Sequence, residues 1–268
     1  MIKNFRLLLN PVFLFVFATS AFSADYHPVS IQGENLLFRI HWGTITGGYS
    51  TLTVPNVEVK DGAAAYHIVS EARSTGWVDT FYKVRDKNEA WLDLTSPRSL
   101  GYAKNLHEGH YRVEEQVRFD QTKNRYYLEE HRLDKETRET KEGDIPPNVF
   151  DMLSSFYYVR GMPLEVGHTV SIDVHSGEKT WPLLVKVQRR ETVKVKAGKF
   201  DCFVLEPVMR EPGIFIHKGK KLEIWVTADE RRMPVLMKCE IFIGHISAEL
   251  VKQTPGSDTP AMPLLASR

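Results

Sequence analysis

The chain has almost no excess of charge: across 268 residues, 35 lysines and arginines stand against 34 acids, a formal net charge of +1. Such a balance gives a polyanion no field to follow, so nucleic acid is not expected as a partner. Long hydrophobic runs are missing after residue 23, where every apolar stretch is short and broken by charge. A bilayer-spanning helix needs ~20 apolar residues, so no membrane span is expected in the mature chain. Cysteine is scarce, with only Cys202 and Cys239. No cysteine follows the N-terminal apolar run, which excludes lipoprotein processing, and neither cysteine has a histidine nearby in a reactive setting. There is no Gly-x-Ser-x-Gly elbow, no phosphate loop and no glycine-rich dinucleotide fingerprint. These absences lower the expectation of catalysis and point to no cofactor.

What is present begins with a leader. Met1-Ile2-Lys3-Asn4-Phe5-Arg6 carries two positive charges and no acid, and the stretch from Leu7 to Ala18 is apolar apart from Asn10 and Pro11. Ala21-Phe22-Ser23 then places small residues at −3 and −1, so cleavage is expected after Ser23, with export to the periplasm and a mature N-terminus at Ala24. Cleavage removes Lys3 and Arg6 and no acid, so the formal charge passes from +1 to −1.

The rest of the chain alternates. Leu36, Phe38, Ile40 and Trp42 interleave with Asn35, Leu37, Arg39 and His41, and Leu183, Val185 and Val187 behave alike. A period of two over such runs marks half-buried strands. Turn signals separate them at Gly47-Gly48, Asp61-Gly62, Gln121-Thr122-Lys123-Asn124, Ala197-Gly198 and Asp229-Glu230. The expected fold is mainly β: a large antiparallel meander of about a dozen strands, closed or curved into a barrel-like or two-layer sheet that limits exposed edges. One short helix, 148–160, is expected between two strand-rich halves, 30–145 and 163–252, of a single domain spanning 24–252. Asn148 is its expected N-cap, with Asp151 near the positive end of the dipole. Val149, Met152, Leu153, Phe156 and Tyr157 recur at helical spacing, and Gly161 and Pro163 end it. Residues 253–268, with three prolines, read as a disordered tail. Cys202 shares a strand face with Phe200 and Val204, and Cys239 one with Met237 and Ile241, so both are expected inside, bonded to each other if their strands adjoin.

Several phrases, taken in order, resemble an exported bacterial family. They are Gly33-Glu34, then Trp42-Gly43 with Gly47-Gly48, then Asp151 with Tyr157, Tyr158 and Arg160. Ala197-Gly198-Lys199-Phe200-Asp201-Cys202 follows, and Trp225-Val226-Thr227-Ala228-Asp229 runs into Arg232-Met233-Pro234-Val235. The chain is similar over residues 30–250 to domain of unknown function 3108. The resemblance implies an envelope protein of Gram-negative bacteria with a mainly antiparallel β fold, and supplies no activity and no catalytic residues.

Three groups of side chains are candidates for chemistry. His107-Glu108-Gly109-His110 sets two imidazoles and a carboxylate around a hairpin tip, but the further ligands a metal needs are not signalled elsewhere. Asp173, His175 and Glu178 imitate an acid–base group, although Ser176-Gly177-Glu178 reads as a turn. The aromatics are the more suggestive set: Trp42, Trp77, Phe81, Tyr82 and Trp91, with Phe156, Tyr157 and Tyr158 on the helix. Trp77 to Tyr82 does not alternate cleanly, which suggests a bend carrying exposed rings; ordinary core packing is the competing account. On this reading Trp42, Trp77, Phe81, Tyr82 and Tyr157 border a ligand site. The expected function is that of a non-enzymatic periplasmic envelope protein binding a hydrophobic or amphipathic ligand, or an envelope partner: a lipid, a glycan or a protein. The alternatives are a hydrolase of envelope polymers, drawn from Asp173, His175 or the His107–His110 turn, and a structural assembly factor working through strand edges.

Overall fold

The computed structural model describes residues 26–209, 221–241 and 244–257. The leader, including the expected cleavage site, and residues 258–268 lie outside the described residues. The first half of the chain forms β1 (Asn35–Trp42), β2 (Ile45–Lys60), β3 (Ala63–Ser74), one helical turn α1 (Gly76–Asp79), β4 (Arg85–Asp93), β5 (Ser99–Glu108), β6 (Tyr111–Asp120), β7 (Arg125–Arg132) and β8 (Thr137–Asp144). The helix α2 (Met152–Arg160) follows. The second half forms β9 (Thr169–Ser176), β10 (Lys179–Val195), β11 (Gly198–Met209), β12 (Leu222–Thr227), β13 (Pro234–Glu240) and β14 (His245–Thr254).

All 14 strands belong to one antiparallel sheet, in the order β8-β7-β6-β5-β4-β3-β2-β1-β14-β13-β12-β11-β10-β9. Each half is a meander, and the halves meet where β1 pairs with β14, Phe38 opposite Leu250. The sheet is not closed by a backbone ladder, since β8 and β9 are its two ends. The seam is bridged instead by side chains and one short backbone contact. Tyr102 Oη accepts from Gly177 N at 2.7 Å, Lys104 Nζ donates to Ser176 Oγ at 3.0 Å, and Lys141 Nζ reaches Glu178 at 2.7 Å. Phe150 forms a parallel bridge to Val174 just before α2. A curved sheet with this seam is the barrel-like arrangement that edge avoidance favours.

The period of two holds where it matters. Leu36 and Phe38 of β1, Leu52 of β2, Ile68 of β3, Ala90 of β4 and Tyr102 of β5 face one core that continues through Ile172, Val185 and Leu205 in the second half. Fully burying an aliphatic or aromatic side chain contributes ~1.5–3 kcal/mol, so a core shared by both halves is the main force folding the sheet round.

α2 sits at one end of this core. Its N-cap is Asp151, whose carboxylate accepts from Leu153 N at 2.8 Å and Ser154 N at 3.0 Å. This corrects the expected cap at Asn148 and the expected start at 148. Asn148 lies in the left-handed region at φ 59°, and the chain stays extended through Phe150 to pair with β9. The helix is enclosed on both sides. Tyr26 stacks on Tyr158 at 5.1 Å, and His27 N donates to Gly161 O at 2.8 Å. Any Cβ at Gly161 would lie 2.4 Å from the Tyr26 ring and 2.7 Å from His27 O, so only glycine fits there.

Two further expectations are corrected. β14 runs to Thr254 and Ser257 bridges Gln32, so paired chain extends beyond residue 252. Cys202 is buried but Cys239 is only partly so, and the two are not joined. Their strands do not adjoin, because β12 runs between them. Cys202 pairs with Thr227 and Cys239 with Leu222, an odd number of positions apart on β12, so the thiols point to opposite faces of the sheet.

Candidate functional site

Beneath α2 the curved sheet encloses a cavity of about 370 Å³, within the ~300–1,000 Å³ typical of small-molecule sites. Met152, Leu153, Phe156 and Val159 of α2 cover it. Its walls come from both halves: Phe38 and Leu52 on one side, Leu183, Val185, Leu205, Leu222, Ile224 and Met237 on the other. Ser50, Ser70, Asn88, Lys104 and Ser176 make a narrower polar strip along β2–β5 and the end of β9.

The strip ends in a network that leaves little charge free. Lys104 Nζ donates to Glu115 at 2.9 Å, and Tyr102 Oη donates to the same carboxylate at 2.7 Å. Burial, then the Glu115 charge, raises the Tyr102 phenol, so it stays protonated as a donor. His175 is 1 % exposed, its Nδ1 2.8 Å from Thr180 Oγ1 and its Nε2 2.8 Å from Gly177 O. The carbonyl requires a proton on Nε2, so Nδ1 accepts from the Thr180 hydroxyl. Burial holds this imidazole down at about 4, neutral and committed on both nitrogens. The result is a cavity that is mostly apolar with one hydrogen-bonding side.

α2 is fixed over the cavity by a buried ion pair. Arg160 Nη1 and Nη2 donate to the two Glu34 oxygens at 2.8 and 2.7 Å, and Tyr157 Oη donates to Glu34 at 2.9 Å. Arg160 also donates to Arg231 O at 3.0 Å, tying the helix to the β12–β13 connection. Asp151, at the other end, accepts from Ser99 Oγ at 2.6 Å. Burial raises the Asp151 carboxyl, opposed by the hydrogen bonds from Ser154 and Ser99.

The residues singled out from sequence fall elsewhere. Tyr157 is buried in the ion-pair network, with Arg160 over its ring. Trp42, Trp77 and Tyr82 are half exposed, and Phe81 is 85 % exposed. None of these five lines the cavity. Trp77 Nε1 donates to Thr46 O at 3.0 Å, which places the α1 loop beside the β1–β2 hairpin. His107, Glu108 and His110 occupy the β5–β6 hairpin, where Glu108 shares a hydrogen bond with Asp86 and burial raises both carboxyls. Among the described residues, no group of three or more His, Cys, Asp or Glu side chains converges as a metal site. Asp173, His175 and Glu178 do not converge either: His175 turns to Thr180 and Gly177, and Glu178 pairs with Lys141. The cavity residues escaped the sequence reading because each is an ordinary inward member of an alternating strand. The Glu34–Tyr157–Arg160 contact was partly visible, since all three residues stand in the phrases that carry the family resemblance.

Among solved structures, the fold is similar to a β-barrel-like protein of domain of unknown function DUF1849 from Brucella abortus. The TM-score is 0.56 at 9 % identity, over 85 % of this chain and all of that one. A protein with a YmcC-like fold from Bacteroides fragilis aligns at a TM-score of 0.36 and 9 % identity, over 87 % of this chain and all of that one. At 9 % identity the likeness to the Brucella abortus protein is one of fold alone. No curated protein matches the chain. The profile of one family covers residues 37–251, almost the entire sheet, and the chain belongs to that family, described as protein of unknown function DUF3108.

Proposed function

We propose that this is a non-enzymatic protein of the bacterial envelope, exported to the periplasm by its leader, that holds a hydrophobic or amphipathic molecule in the cavity beneath α2. The observation that carries the reading is the cavity itself. Its walls are mainly apolar, and the polar strip of Ser50, Ser70, Asn88, Lys104 and Ser176 gives a bound molecule one side for a polar group. Filling apolar walls with an apolar chain recovers ~25 cal/mol per Å² removed from water. The hydrolase alternative is disfavoured by His175, whose two ring nitrogens are both engaged in holding a turn.

The test is native mass spectrometry of protein recovered from its own host, with solvent extraction of what accompanies it. Titration with the fluorescent fatty acid cis-parinaric acid complements it. Ser70→Trp projects an indole into the cavity and is expected to weaken uptake by about tenfold or more while the fold is kept, as ~1.4 kcal/mol of lost contact would do. Uptake unchanged in that variant places the ligand outside the cavity and overturns the reading.

A further inference from the structure

Eleven large apolar side chains are exposed among the described residues, and their distribution is one-sided. Strand direction and register define two ends of the curved sheet. α2, Ser99, Glu34 and Arg231 mark one end. Of the exposed set only Val59 and Val166 lie there. The others lie toward the opposite end, that of the β1–β2, β5–β6 and β13–β14 connections and the α1 loop.

The densest part of that end is a contiguous group. Trp42 pairs with Ile45 across the β1–β2 hairpin and with Ile246 on β14, so three exposed side chains sit side by side. Trp42 also continues the face of β1 that carries Leu36 and Phe38 into the core. Trp77 joins the group through its bond to Thr46 O, and Phe81 and Tyr82 follow on the same loop. That loop is built rather than slack. Arg85 donates to both oxygens of Asp79, at 3.1 and 2.5 Å, and Ser74 Oγ donates to the same carboxylate. Val84 N donates to Ser74 Oγ at 2.8 Å. A fixed loop that leaves Phe81 85 % exposed forgoes the stabilisation burial would give.

Among the described residues, the cavity reaches toward this end. Ser50, Ser70, Asn88, Ser176 and Leu222 all line it from the parts of their strands away from α2. α2 covers the cavity from the other end, so entry from the aromatic end is what a docking surface there requires. An amphiphile that suits these walls resides in bilayers and not in free solution, so its exchange requires contact with a lipid surface.

We infer that the end formed by Trp42, Ile45, Trp77, Phe81, Tyr82 and Ile246 is a docking surface for a phospholipid bilayer, held against the headgroup–acyl boundary while a ligand passes to or from the cavity. The inference rests on the ligand-binding reading above. Tryptophan and tyrosine suit that boundary because each joins an apolar ring to a polar tip.

The test is flotation of host-processed protein with vesicles of phosphatidylethanolamine and phosphatidylglycerol. Wild type is compared with Trp77→Ser/Phe81→Ser and with Phe81→Ser alone, the second because a side chain so exposed is dispensable for folding. All three share one N-terminus, so the leader cannot produce a difference. Wild type is expected to float at low and high salt, and the double variant to partition about tenfold less, with Phe81→Ser between them. Equal flotation of wild type and variants overturns the proposal, as does wild type that never floats. A concentration-dependent dimer that the variants abolish, without vesicle binding, assigns the face to a second copy and overturns it too. Cis-parinaric acid uptake separates the two readings. Protein that takes up the probe but does not float defeats docking alone, and protein that floats but takes up nothing defeats the cavity.

Discussion

At the scale of single residues, the strongest constraint is the pair Glu34–Arg160. Both side chains are at most 3 % exposed, and among the described residues the guanidinium pairs with no other carboxylate. Removing one member of a buried pair leaves the other charge uncompensated, at a cost of about 3–5 kcal/mol. Glu34→Ala is therefore expected to lower unfolding free energy by about that amount in urea titrations. Arg39→Ala, which opens the half-exposed pair with Glu249, should cost about 1 kcal/mol or less. His175 supplies a pH dependence. Burial pushes its imidazole down to about 4, from the ordinary histidine value of 6.5. The unfolded chain thus binds more protons between those values, and its contribution to stability is complete above about 6.5 and lost as pH falls toward 4. The size is on the order of 3 kcal/mol. Urea titrations at pH 7, 5.5 and 4 should show the loss in wild type, and a flatter response in His175→Gln over the same range.

At the scale of elements, the strands were legible and the helix start was not. Period-two alternation is local, so the residues of β1 and β10 announce their faces without knowledge of their neighbours. The order of strands is not local: β1 and β14 pair across almost the whole chain, and nothing in either strand names the other. The helix boundary failed for a different reason. Asn148 and Asp151 are both good caps, and the choice is made by Phe150, which pairs with Val174 and keeps the chain extended for three more residues. The two positions can be separated experimentally. Asp151→Ala should lower stability by about 1–2 kcal/mol and weaken the far-UV helical signal, since Leu153 N, Ser154 N and Ser99 Oγ all lose their acceptor. Asn148→Gly keeps the left-handed turn and should leave both nearly unchanged. The cysteines teach the same lesson: each alternation was read correctly as a face, but which face depends on β12 lying between them.

At the scale of the whole molecule, the two meanders share one sheet and one core. Covalent chain joins them at β8–α2–β9, hydrogen bonds join them at β1–β14, and one core runs through both. Neither half can bury its concave face alone, because the other half and α2 are what cover it. The cavity was illegible for this reason: it is a gap between inward faces whose meeting is set by long-range pairing, not by any local pattern. Heat should then unfold the domain in a single calorimetric transition, and any ligand touching walls from both halves should shift that transition as a whole. A ligand at a hundred times its dissociation constant adds ~2.7 kcal/mol to the native state. For a domain of this size each kcal/mol moves the midpoint by about 2–4 °C, so a rise of roughly 5–10 °C is expected. Scanning calorimetry with and without cis-parinaric acid measures it, with Ser70→Trp as the comparison that should show about half that rise or less. Two separate transitions would show that the halves fold independently and that the shared core is not what holds them. A single transition that the fatty acid leaves in place would remove this class of ligand from the cavity.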